Sequence, residues 1–64
     1  MSSYEPVKVT VLRLSTRAAL LECDGDQKWI PYSLMEEGPA CLEEGPEVVE
    51  VNIKQWKLEE IGWD

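Results

Sequence analysis

Histidine and phenylalanine are absent from this 64-residue chain, and cysteine occurs only twice, at Cys23 and Cys41. Each scarcity removes a class of function. Without histidine the commonest general base is missing. A structural zinc site, which takes four Cys or His ligands, has no donor set here. Two isolated cysteines do not make the dense disulfide framework of secreted mini-proteins. Their spacing alone neither requires nor forbids a bridge. No apolar run approaches the ~20 residues of a membrane span. The N-terminus has no basic segment leading into an apolar one, so the reading expects no secretory signal and a cytoplasmic protein. There is no glycine-rich phosphate loop and no dinucleotide fingerprint. No cofactor and no metal are expected, and the chain reads as a non-enzyme.

Positive charge is also scarce. Six Lys and Arg stand against thirteen Asp and Glu, a net charge of −7. Its placement is uneven. Residues 1–34 carry Lys8, Arg13, Arg17 and Lys28 against Glu5, Glu22, Asp24 and Asp26, which cancel. The whole excess falls in residues 35–64, through Glu36, Glu37, Glu43, Glu44, Glu47, Glu50, Glu59, Glu60 and Asp64 against Lys54 and Lys57. Nucleic-acid affinity comes mainly from Lys and Arg on phosphates, so the chain is a poor candidate for direct nucleic-acid binding. Basic protein surfaces are its natural electrostatic partners.

The pattern that is present is mostly β. A chain this short forms one domain over residues 1–64. It buries only about 60% of its unfolded surface, so its stability is marginal. Val7, Val9 and Val11 alternate with Lys8 and Thr10, predicting a first strand over 7–14. A second is expected over 18–23 and a third over 27–30. Between them, Asp24-Gly25-Asp26 supplies residues that accept positive φ, as a tight hairpin requires. Pro31 ends the third strand. Ser33 and Glu36 have capping-box spacing, predicting a short helical turn before Gly38-Pro39. A glycine- and proline-rich acidic loop follows over 38–46. A fourth strand is expected over 47–51 and a helix over 53–61, with Gly62 in a left-handed cap and Trp63 folding back on the last turn. The fold expected is mainly β (α+β): a small four- to five-stranded antiparallel sheet, or a partly open SH3- or OB-like barrel, with a C-terminal helix.

Residues 20–33, Leu-Leu-Glu-Cys-Asp-Gly-Asp-Gln-Lys-Trp-Ile-Pro-Tyr-Ser, and residues 56–62, Trp-Lys-Leu-Glu-Glu-Ile-Gly, resemble a class of small phage- and prophage-encoded proteins. Their pattern is an Asp-Gly hairpin, then Trp-Ile-Pro-x-Ser, then a C-terminal Trp-x-x-Glu-Glu-x-Gly helix. The match covers about half the chain and departs from the pattern in the acidic insert at 38–46 and at Trp63. The resemblance implies viral origin, and hence the host cytoplasm, more than any particular activity.

Trp29 and Trp56 are expected to be the largest core pieces. Trp63 and Tyr4, near the termini, are expected to be more exposed. Glu36, Glu37, Glu43, Glu44, Glu47 and Glu50 are the candidate partner-binding array, whose carboxylates would imitate a phosphate backbone. Tyr32, Met35 and Trp63 would be the apolar anchors that an interface needs. The leading expectation is an acidic viral protein that binds a host protein, inhibiting a nucleic-acid-handling or defence effector such as a CRISPR complex. One alternative is an accessory nucleic-acid-binding module of phage DNA metabolism, in which Lys8, Arg13, Arg17 and Lys28 form one basic strip. The other is a structural protein that associates through an exposed strand edge. Monomer and small homo-oligomer both remain open.

Overall fold

A computed structural model describes residues 3–36 and 42–63. Four strands form one antiparallel sheet: β1 (Tyr4–Leu14), β2 (Ala18–Cys23), β3 (Asp26–Pro31) and β4 (Val48–Lys54). The spatial order is β3-β2-β1-β4. A single 3₁₀ turn, Tyr32–Leu34, follows β3, and helix α1 (Gln55–Ile61) follows β4. The sheet is open, with β3 and β4 last in the strand order, so the fold is the expected mainly β, four-stranded antiparallel sheet with a short C-terminal helix.

Strand β2 falls where the sequence pattern puts it, and β3 extends one residue further at each end. Their hairpin pairs Cys23 with Asp26, leaving Asp24 and Gly25 as a two-residue loop. Both have positive φ, 51° and 83°, the backbone of a type I′ turn. Strand β1 begins at Tyr4, three residues before the expected start, because Tyr4, Glu5 and Pro6 pair with Lys54, Ile53 and Asn52. Pro6 is tolerated because β2 pairs with β1 only from Thr10 onward, so the missing N–H faces no strand. The register between β1 and β2 shifts between Val11 and Arg13, leaving Leu12 as a bulge.

The end of the chain departs further from expectation. Strand β4 runs to Lys54, so Asn52 and Ile53 are strand residues and α1 starts two residues late. The cause is the N-terminal extension of β1, which gives them a pairing partner. Asn52 does not cap α1, whose N-cap is Lys54 with no side-chain cap bond. Ser33 and Glu36 likewise form no capping box: the 3₁₀ turn is preceded by Pro31 and has no side-chain cap. Gly62 adopts the expected left-handed cap at φ 79°, and the Trp63 N–H donates to the Leu58 carbonyl at 2.8 Å.

The core lies on one face of the sheet. Val7, Val9 and Val11 of β1, Ala19 and Leu21 of β2, Ile30 of β3, and Val51 and Ile53 of β4 point inward. Met35, Leu42, Leu58 and Trp63 cover them. Two expectations about aromatics are overturned. Trp29 and Trp56 are half-exposed, at 50% and 52%, whereas Trp63 is buried at 8%. In β3 the two-residue turn fixes the parity: Ile30 is inward, so its neighbour Trp29 must be outward. On α1 the buried residue is Leu58, which leaves Trp56 on the solvent side. Trp63 turns back after Gly62, and its indole Nε1 donates to Asp26 Oδ2 at 2.9 Å, tying the chain end to β3.

Candidate acidic interaction surface

The connection from β3 to β4 begins with one tight turn that brings the end of β3 close to β4: the Met35 N–H donates to the Tyr32 carbonyl at 3.0 Å. Tyr32 is held near the β1–β2 turn: its N–H donates to the Arg17 carbonyl at 3.0 Å, and its hydroxyl to the Ser15 carbonyl at 2.6 Å. The residue that follows the 3₁₀ turn already lies beside β4. Met35 forms an antiparallel bridge with Ile53, and the Glu36 N–H donates to the Asn52 carbonyl at 2.9 Å. From Leu42 to Gly45 the chain lies beside the bulged end of β1. There the Gly45 N–H donates to the Val11 carbonyl at 3.0 Å, and Glu44 Oε2 accepts from the Leu14 N–H at 2.8 Å.

This path sorts the expected partner-binding residues into three groups. Glu36, Glu43, Glu47 and Glu50 are exposed, and their carboxylates form no hydrogen bond or ion pair with described residues. Glu36 and Glu50 share the β4 side of the sheet, and Glu47 leads into β4. Glu44 is exposed but occupied, because it satisfies a β1 amide that the bulge leaves without a strand partner. Tyr32, Met35 and Trp63 do not form the expected apolar rim. Met35 is 4% exposed and Trp63 8%, and both are core pieces, while half-buried Tyr32 spends its hydroxyl on the β1–β2 turn. Glu37 and Cys41 lie outside the described residues.

The acidic pair at the end of α1 has local partners. Glu60 forms an ion pair with Lys57 at 3.3 Å, the single salt bridge among the described residues. Glu59 accepts from Gln55 Nε2 at 3.4 Å. These contacts within one helix account for two carboxylates that the helix dipole alone would disfavour.

The basic residues of the N-terminal half are not gathered into a strip. Lys8 pairs across strands with Glu50, and Arg13 with Leu20, both on the outer sheet face. Lys28 pairs with Leu21, an inward residue, and so belongs to the opposite face. Arg17 sits in the β1–β2 turn.

Sequence reasoning missed the covering role of Met35 and Leu42 and the amide cap from Glu44. The apolar character of Met35 and Leu42 on either side of an acidic loop was the available signal. No group of three or more Cys, Asp and Glu among the described residues could hold a metal ion. Among those residues no helix is long and apolar enough to cross a membrane. Burial, and secondarily the charges of Asp24 and Asp26, push the Cys23 thiol above its ordinary range, which disfavours the reactive thiolate. Comparison with family models, with curated proteins and with solved structures finds no match.

Proposed function

We propose that this chain is a non-enzymatic interaction protein that engages a basic surface on another protein through its β4 side. One observation carries the reading: the excess negative charge is not neutralised within the fold. Glu36, Glu43 and Glu47 are exposed and form no ion pair among the described residues, Glu50 has Lys8 opposite it across the strands but makes no ion pair with it, and the core needs none of the four. Unpaired carboxylates on one side of a small domain produce a field that speeds encounter with a basic partner and disfavours acidic ones.

The resemblance to phage-encoded proteins makes a host protein the partner. A basic groove that ordinarily holds nucleic acid is the surface such carboxylates fit, so the finer reading is inhibition of a nucleic-acid-handling or defence effector. The alternative of direct nucleic-acid binding loses support, because Lys8, Arg13, Arg17 and Lys28 are divided among the outer face, the inner face and a turn.

Pull-down from host lysate, with and without nuclease, tests the reading. The wild-type chain is expected to capture a basic, nucleic-acid-binding protein in nuclease-resistant fashion. The variant Glu36→Lys/Glu47→Lys is expected to keep its fold and weaken that binding by at least ~1 kcal/mol. Capture that vanishes with nuclease, or that survives the double reversal unchanged, removes the β4 side from the interface.

A further inference from the structure

The third strand carries a second interaction surface, independent of the acidic side. In the pairing of β2 with β3, Cys23, Leu21 and Ala19 stand opposite Asp26, Lys28 and Ile30. The hairpin closes on a two-residue turn, so these are the pairs that exchange backbone hydrogen bonds. The main-chain groups of Gln27, Trp29 and Pro31 therefore point away from the sheet. β3 is terminal in the strand order, and no loop or turn among the described residues bonds to Gln27 or Trp29. The edge presents two N–H donors and three carbonyl acceptors in strand geometry, beside an indole that is 50% exposed. Water satisfies such a row in a monomer, and an extended segment in strand geometry can replace it.

We propose that the occupant is a second copy of the same strand, paired antiparallel about a twofold axis at Trp29. Charge selects both the occupant and the register. The nine acids of the second half that set the net charge leave β3 itself with one Asp and one Lys, so two copies meet here without strong repulsion. A register opposing Gln27 to Trp29 sets Lys28 against its own copy, which like-charge repulsion disfavours. A register centred on Gln27 would place Gly25, a turn residue with φ 83°, in the ladder. Centring on Trp29 avoids both. Trp29 then faces its own copy and exchanges two backbone hydrogen bonds with it. Lys28 lies opposite Ile30, and each Gln27 N–H donates to a Pro31 carbonyl, the one backbone group that Pro31 can still offer. The two indoles meet on the outer face, each flanked by the Leu20 that pairs with it, and the two sheets become one continuous eight-stranded sheet.

Sedimentation of the full chain tests the proposal. Wild type is expected at double its 7.3 kDa mass at high protein concentration. Trp29→Lys, a change at an exposed position that puts like charges on the axis, is expected at the single mass with an unchanged circular dichroism spectrum. The register has its own test in a Cys23→Ser/Cys41→Ser background. Hydrogen-bonded antiparallel pairs place their Cα atoms ~5.5 Å apart, within disulfide reach. Trp29→Cys is therefore expected to crosslink two chains on oxidation, whereas Lys28→Cys is not. Wild type at the single mass throughout overturns the proposal and leaves the edge to an extended segment of a different protein. A dimer that survives Trp29→Lys, or that crosslinks through position 28, overturns the pairing. None of these outcomes depends on the β4 carboxylates, so they are separable from a failure of the acidic-surface reading.

Discussion

The two edges of this sheet are finished in opposite ways. At β4, the chain leaving the 3₁₀ turn lays Met35 and Glu36 alongside Ile53 and Asn52, and Glu36 and Glu50 are exposed there. At β3, the backbone of Gln27 and Trp29 has no loop or turn bonded to it among the described residues, and the strand's own charge is balanced. What holds β3 is on its inner side, where Trp63 reaches back from the end of α1 to Asp26. Among the described residues, the edge that gains backbone partners from outside the strands is β4.

The largest test of that contrast removes the tether. Trp63→Ala deletes a buried ring and the indole bond to Asp26, and is expected to cost about 3–5 kcal/mol, enough to unfold so small a domain. Trp56→Ala, at an exposed helix position, is expected to cost less than about 1 kcal/mol. Thermal denaturation of the pair checks both, and equal losses would mean that the chain end does not hold β3 in place. A smaller effect separates the acids near β4. Glu44→Ala leaves the Leu14 amide without its acceptor and is expected to cost about 0.5–1.5 kcal/mol. Glu47→Ala, with no such contact, is expected to fall within about 0.5 kcal/mol of wild type. Urea titration of the two variants reads the difference.

The smallest effect concerns the hairpin behind β3. The Cys23 thiol is held above its unfolded range, so the folded state keeps its proton where the unfolded state has lost it. Between those two values the native state binds more protons, and stability falls as pH rises. At neutral pH, where both states carry the thiol proton, Cys23 contributes no slope. Stability measured from pH 8 upward should therefore decline more steeply in wild type than in Cys23→Ser, and alkylation of Cys23 at neutral pH should be slower than that of a free thiol. Identical slopes would remove Cys23 as the cause.

Much of the fold was legible because it is local. The alternation of Val7, Val9 and Val11, the Asp24-Gly25 turn and the Gly62 cap each depend on a few adjacent residues. What was not legible depends on distant pairing. Nothing near Asn52 and Ile53 announces that they continue a strand; they do so because Tyr4–Pro6 run alongside them. The size of the tryptophans points to the core, but strand parity and helix facing decide where they go. Ile30 and Trp29 are neighbours in a strand, and only one of them can face the core. The candidate site was legible in its charge but not in its anchors, since Met35 and Trp63 are taken up by the core. Which carboxylate would be occupied depended on a bulge in a strand thirty residues away from Glu44.

The pairing of the first strand with the last also makes completion of the sheet a non-local event. The β2–β3 hairpin closes over two residues and can form on its own within microseconds. β1, by contrast, completes its ladder only when Val48–Lys54 arrive from the far end of the chain. Such non-local closure costs chain entropy before any contact repays it, and it slows folding. Trp63 lies beyond β4 in the chain and bonds Asp26 of β3, 37 residues away, so its burial joins the two halves of the chain.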